Sequence, residues 1–169
     1  MTAGDTLCLT LAALLRERGW MLATAESCTG GLIAAACTEL PGSSDWFDRG
    51  FVTYSNEAKT DLLGVEPDAI SRHGAVSAVV ARAMAHGAVR HSRAQAAVAV
   101  TGIAGPGGGS VDKPVGTVWF GFMVDGQLSS EVQRFDGDRA AVRAATVRHA
   151  LEQLIARLAA TPGVVPAKN

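Results

Sequence analysis

Apolar residues recur along the chain with two different periods, and the switching between them predicts the order of elements. Leu7, Leu11, Leu14 and Leu15 follow the i, i+4, i+7, i+8 spacing of one helical face, and Gly19 follows as a stop. The run WMLATA, residues 20–25, predicts a short buried strand. CTGGLIAAACTEL, residues 28–40, predicts a helix closed by Pro41 and Gly42. FDRGFVTYS, residues 47–55, has the aromatic and β-branched character of a second strand. NEAKTDLLG, residues 56–64, predicts a short helix ending at Gly64, and PDAI, residues 67–70, a further helical turn. Ser77 is placed to cap an Ala-rich helix over 78–92. QAAVAVTGIAG, residues 95–105, is an apolar strand running into a glycine-rich loop, and residues 114–135 predict a β-hairpin turning at Asp125–Gly126. Asp138 caps a last helix, on which Val147, Leu151, Leu154, Ile155 and Leu158 repeat at helical spacing.

Helices and strands alternate early and a hairpin comes late. That order predicts an α/β fold, a three-layer α/β/α sandwich around a mixed β-sheet. One domain over 1–160 is expected, with a frayed tail over 161–169. No repeat, low-complexity tract or linker interrupts it. Ligands in such sheets sit beyond the carboxyl ends of parallel strands. Three loops would meet there: ESCTGG (26–31), TYSNEAK (53–59) and TGIAGPGGGSVDKP (101–114).

Composition narrows the picture. A hydrophobic content of 48% with only 18% charged residues supports a sizeable core and a self-association surface. A net charge of -1 leaves no electrostatic footprint for nucleic acid, and no basic run suggests an anionic membrane. Cys8, Cys28 and Cys37 are odd in number and fit no zinc spacing. The N-terminal stretch, with Asp5 before it and Arg16, Glu17 and Arg18 after it, reads as an amphipathic helix rather than a signal peptide. A cytoplasmic protein with reduced thiols is expected.

The chemistry concentrates in the three loops. Ser27 falls where a strand turns into a helix, so the helix N-terminus would favour a developing oxyanion. Gly30 and Gly31 would let a substrate approach the backbone N–H groups. The competing reading makes Ser27 or Thr29 only an N-cap and the glycines only packing residues. Cys28 is a rival nucleophile, because a helix N-terminus favours thiolate; adjacent residues cannot both aim at one carbon, and Ser27 is preferred. A base is needed. His86, His91 and His149 are not placed for it, and His73 only loosely. Lys59, just past the second strand, can serve if burial lowers its pKa. Tyr54, the single tyrosine, lies at the same strand end and could relay a proton or donate to an oxyanion. The alternative is that Tyr54 packs and Lys59 is solvated. The glycine-rich loop matches neither a P-loop nor G-x-G-x-x-G; it is either an anion-binding nest helped by Lys113 or a plain connection. Arg139 and Arg143, four apart near the start of the last helix, oppose its dipole, which an anionic ligand would offset. No His/Cys/Asp/Glu cluster has metal spacing, so neither metal nor cofactor is expected.

Taken together, TAESCTGG, PGSSDWFDRGFVTYSNEAK, HGAVS, TGIAGPGGG and KPVGTVWFGF, in that order between residues 24 and 122, resemble the C-terminal domain of the CinA family and its stand-alone relatives, the nicotinamide-nucleotide amidases. The resemblance implies hydrolysis of nicotinamide mononucleotide to nicotinic acid mononucleotide and ammonia through a serine acyl-enzyme. It implies Ser27 as nucleophile with Tyr54 and Lys59 beside it, on an α/β/α fold that forms homodimers. Backbone N–H groups at Thr29, Gly30 and Gly31, with the loop of Thr101, Gly102, Ala104 and Gly105, would then hold the oxyanion. That loop, Asn56 and Arg143 would hold ribose and phosphate. The other function class is a catalytically inactive CinA-like module that binds nucleotides or a partner in competence or DNA damage.

Overall fold

Five strands form one sheet in a computed structural model that describes residues 1–163. They are β1 (Leu22–Glu26), β2 (Phe47–Val52), β3 (Ala96–Gly102), β4 (Thr117–Val124) and β5 (Gln127–Arg134), in the spatial order β2-β1-β3-β4-β5. β1 runs parallel to β2 and β3, and β4 and β5 follow antiparallel. Helices α1 (Ala3–Arg18), α2 (Leu32–Thr38) and α6 (Arg139–Ala160) cover one face; α3 (Asn56–Leu63), α4 (Pro67–His73) and α5 (Ala78–Arg90) cover the other. This is the α/β/α sandwich with a mixed sheet that the alternation of periods predicts.

The two faces are built differently. Toward α1, α2 and α6 the strands present Leu22, Val98, Val100, Phe120 and Phe122, which pack with Leu11, Leu15, Ile33, Leu151 and Leu154. Each such buried side chain contributes roughly 1.5–3 kcal/mol. Toward α5 the strands present Ala23, Ala25, Ala97, Ala99 and Gly121. Small side chains let the Ala-rich helix lie almost on the sheet. A Cβ at Gly121 would collide with the Ala81 carbonyl, and one at Gly87 with the Leu63 carbonyl.

Local signals explain most boundaries. Thr2 and Asp5 form a reciprocal capping box at α1, and Gly19 closes it in the left-handed conformation. Ser55, Ser77 and Asp138 cap α3, α5 and α6 through their side chains. Asp125 and Gly126 both have positive φ, 51° and 74°, as the tight hairpin turn requires. Pro67 opens α4, which runs on to His73, beyond the single turn expected.

The largest departure is at α2. The helix begins at Leu32 rather than at residue 28, because Gly30 and Gly31 adopt φ of 58° and 107°. Residues 27–31 are therefore a turn and not the first turn of a helix. β2 likewise ends at Val52, although the Thr53 N–H still donates to Glu26 O at 2.8 Å. Of the tail expected over 161–169, residues 164–169 lie outside the described residues. Thr161 is tied down: its N–H donates to Leu158 O, and its carbonyl accepts from Arg18 Nη2 at 2.9 Å.

The topology leaves one crevice. From β1 the chain crosses by α2 to β2 on one side, and from β2 it returns by α3–α5, on the opposite face, to β3. The carboxyl ends of β1, β2 and β3 thus open side by side, at the point where the connections diverge. Gly121→Ala tests the close packing that holds α5 there: chemical denaturation should show a loss of about 1–3 kcal/mol, the usual scale of overpacking, where alanine in an open strand would be neutral or better.

Candidate active site

Ser27 follows directly on β1. Its N–H donates to Val100 O on β3 at 3.1 Å, so the residue is fixed at the strand end, and it is 8% exposed. Lys59 reaches it from the opposite layer. Ser55 caps α3 by accepting from the Ala58 N–H, and one turn in, Lys59 and Leu63 both face inward. The Lys59 side chain is 1% exposed, and Nζ lies 3.0 Å from Ser27 Oγ.

The surroundings of Nζ determine what it can do. Main-chain carbonyls of Thr53, Tyr54 and Ser55 lie at 3.0, 3.3 and 3.4 Å. Among the described residues no carboxylate stands within ion-pair distance of it. Carbonyls alone favour an ammonium, but burying a cation without a counter-charge costs several kcal/mol. Burial is the larger effect and lowers the Lys59 pKa from its ordinary value. A neutral amine has two N–H donors and one lone pair. With the N–H groups on carbonyls, the lone pair is left for the Ser27 hydroxyl.

A cavity of about 230 Å³ opens above this pair. Ser27, Lys59, Tyr54, Asn56, Thr101, Gly102 and Ala104, all singled out from the sequence, line it; so do Cys28, Ala75, Val76 and Arg139. Thr29, Gly30, Gly31, Gly105 and Arg143 lie behind or beside this lining. The Thr101 hydroxyl donates to Ala75 O at 3.0 Å and so holds the 73–77 segment against the cavity wall. Lys113 Nζ donates to His73 O at 2.7 Å, which ties the glycine-rich loop to the same segment.

Three placements differ from the simplest expectation. Tyr54 meets Lys59 only through its main-chain carbonyl. Its ring is 62% exposed, and the phenol oxygen accepts from Arg139 Nη2 at 3.2 Å. Arg139 Nη1 also donates to Gly105 O at 2.8 Å. Arg143 does not reach the cavity lining: Nε and Nη2 donate to the carbonyls of Cys28 and Thr29, each at 3.2 Å. The Gly30 N–H is committed to Ser27 O at 3.1 Å.

The sequence reading assigned Glu26, a lone acid beside Ser27, no role. It is a carboxylate with 1% exposure, and its oxygens accept from Thr29 Oγ1 at 2.6 Å, Ile33 N at 2.8 Å and Ala34 N at 3.1 Å. It caps α2 in place of Gly31, which has no side chain to do so. The N-terminus of α2 is therefore turned on Glu26 rather than on a substrate. The only signal was an acid at the end of an apolar strand with no nearby cation.

The rival groups are accounted for. Burial, then the Glu26 charge, pushes the Cys28 thiol up to about 11. No histidine lines the cavity among the described residues; His149 stands near Glu131 with its ring against Phe120. No group of three or more His, Cys, Asp or Glu could hold a metal among the described residues, and no described helix is long and apolar enough to cross a membrane.

Comparison with known proteins points one way. A family model described as the CinA C-terminal domain matches residues 5–158. The nicotinamide-nucleotide amidohydrolase PncC of Enterobacter agglomerans is 56% identical over 138 residues, covering 81% of this chain and 84% of that protein. A CinA-like protein of Geobacter sp. (strain M21) is 56% identical over 144 residues, which are 85% of this chain but 35% of the longer relative. The crystal structure of the competence/damage inducible protein CihA from Agrobacterium tumefaciens matches with a TM-score of 0.89 at 51% identity, covering 92% of this chain and 96% of that one.

The lowered Lys59 pKa has a definite sign in kinetics. Only the neutral amine accepts the hydroxyl proton, so reactivity of Ser27 should rise with pH through the Lys59 titration and level off above it. Phosphonylation of Ser27 by a fluorophosphonate should follow such a curve, with its midpoint below the ordinary lysine value. Lys59→Met should abolish that titration and slow labelling by about 10²–10⁴-fold, the usual contribution of a general base.

Proposed function

This chain belongs to the CinA C-terminal domain family, and from that premise we propose that it is an amidohydrolase that deamidates nicotinamide mononucleotide to nicotinic acid mononucleotide and ammonia. The observation that carries the reading is the buried contact of 3.0 Å between Lys59 Nζ and Ser27 Oγ on the cavity floor. The name of the Enterobacter agglomerans relative supplies the substrate.

Ser27 Oγ attacks the carboxamide carbon as Lys59 takes the hydroxyl proton. The tetrahedral oxyanion is held by backbone N–H groups of the 27–31 turn. Lys59 then returns the proton to the amide nitrogen, the C–N bond breaks, and ammonia leaves an ester on Ser27. Water attacks that ester with Lys59 again as base, and the acid product leaves with the Ser27 hydroxyl restored. Every proton passes through one amine, and no step calls for a metal or cofactor.

Arg139 and Asn56 are the groups we assign to the phosphate and ribose. Two of the five N–H donors of Arg139 are taken by Gly105 O and the Tyr54 phenol, which fix its guanidinium at the cavity. The rest remain for a dianionic phosphate. Tyr54 accordingly orients Arg139 rather than sharing a proton with Lys59. A cytoplasmic location is supported by the three free thiols. A homodimer is supported by the exposed apolar side chains Val79, Leu128 and Val132 on α5 and β5.

Ammonia release from nicotinamide mononucleotide is the direct assay. The protein should turn it over, and Ser27→Ala should reduce turnover by at least about 10³-fold, as expected when a nucleophile is lost. Binding of the mononucleotide with no ammonia would instead identify the inactive module. Arg139→Ala should raise KM for the mononucleotide at least about tenfold, the scale of one charge-assisted hydrogen bond, while leaving KM for nicotinamide riboside, which lacks the phosphate, nearly unchanged.

A further inference from the structure

We propose that Glu26 and Arg143 are positioning residues that grip the 27–31 turn from opposite sides and so aim the N–H groups of Cys28 and Thr29 at the oxyanion formed on Ser27. This rests on the amidohydrolase reading for the identity of the oxyanion; the geometry of the grip does not.

The argument is a count of donors and acceptors in five residues. The Ser27 and Gly30 N–H groups are used, on Val100 O and Ser27 O. Among the described residues, nothing accepts from the N–H of Cys28, Thr29 or Gly31. The acceptors are the reverse: Ser27 O takes the Gly30 N–H, Cys28 O takes Arg143 Nε, and Thr29 O takes both Arg143 Nη2 and the Leu32 N–H. In a trans peptide the C=O and N–H point in opposite directions. Holding Cys28 O toward α6 therefore turns the Thr29 N–H away from α6. Holding Ser27 O inside the turn likewise turns the Cys28 N–H outward. Two consecutive free donors directly after the nucleophile are what a tetrahedral oxyanion requires.

Arg143 alone would leave the turn free to pivot. Glu26 prevents it by binding the Thr29 hydroxyl at 2.6 Å and the Ile33 and Ala34 N–H groups beyond the glycines. Thr29 itself is fully buried. The carboxylate thus holds the turn by its donors and the guanidinium holds it by its acceptors. Without Arg143, the Cys28 carbonyl would be free to rotate toward the cavity, where its oxygen would repel the oxyanion; Thr29 O would keep the Leu32 N–H. On this account Arg143 acts through the backbone and does not read the phosphate.

Arg143→Ala, Arg143→Lys and Glu26→Gln, assayed beside the unaltered protein on nicotinamide mononucleotide and on nicotinamide riboside, test it. Each should lower kcat by about 10–100-fold, somewhat less than outright loss of an oxyanion donor, equally on both substrates and with KM little changed. Added guanidinium, but not added ammonium, should restore part of the Arg143→Ala loss. A loss confined to KM for the phosphorylated substrate would make Arg143 a phosphate ligand and overturn the proposal; so would an Arg143→Ala variant of full kcat. Phosphonylation of Ser27 by a fluorophosphonate, in which Oγ displaces fluoride and the proton leaves through Lys59, should slow by a similar factor. If the unaltered protein labels at Ser27 yet releases no ammonia from either substrate, the amidohydrolase reading fails while the relative labelling rates still judge the grip. Circular dichroism identifies a variant that does not fold; since Arg143 is only half-buried, its two substitutions decide the matter if Glu26→Gln unfolds.

Discussion

Burying a lysine amine without a counter-ion lowers its pKa, and the rest of the site follows from that. Lys59 is 1% exposed and surrounded by three main-chain carbonyls and one hydroxyl. Solvation of an ammonium is lost on burial, and carbonyl dipoles return only part of it. In its neutral form, which burial favours, the amine is a base directed at Ser27. Its direction is set by the same carbonyls, which occupy its N–H groups and leave the lone pair to Ser27. The end of β2 supplies those carbonyls, the first turn of α3 supplies the amine, and β1 supplies the hydroxyl. Three elements from two layers converge because the three parallel strands end together.

That convergence depends on how closely the layers approach. Lys59 must cross from the α3 layer to the end of β1, and its stem is only four carbons long. Under α5 the sheet is mostly alanine and glycine, with Phe51 and Met123 beside them, whereas Leu22, Phe120 and Phe122 lie on the other face. Gly87 and Gly121 remove the last obstructions between α5 and its neighbours. The Ala-rich composition of α5 is therefore tied to catalytic geometry as well as to core packing: a thicker layer would lift α3 away and separate Nζ from Oγ. The opposite face, with Phe120, Phe122 and the leucines of α1 and α6, carries the bulk of the apolar burial.

Periodicity made the layers, the mixed sheet and the three converging loops readable from sequence. Ser27 and Lys59 stand out there too, one as a hydroxyl at a strand end before two glycines, the other as a lysine just past the second strand. Tyr54 was found by position, but which way a ring turns at a strand end depends on what stands opposite. Here that is Arg139, 85 residues away in sequence. The contacts of Glu26 and Arg143 were not legible for the same reason. Each acts on backbone groups across a gap in sequence, and backbone donors and acceptors leave no mark on residue identity. The start of α2 was placed four residues early because CTGG reads as a helix opening. Consecutive glycines with positive φ instead make a turn, and the helix is capped from a strand.

The neighbouring serine and cysteine show why such a site favours the weaker acid. A thiol in place of Ser27 is the stronger acid and would share its proton with Lys59 before substrate arrived, as a thiolate and ammonium pair. A hydroxyl is far too weak an acid for that, so the Ser27 oxygen gives up its proton only as the carbonyl carbon is attacked. Cys28 is one residue further on, where burial and the Glu26 carboxylate push its thiol up to about 11 and keep it protonated. Burial is the larger of the two effects, so the packing that fixes the turn also silences the competing nucleophile. The turn delivers one reactive oxygen and keeps the adjacent sulfur protonated.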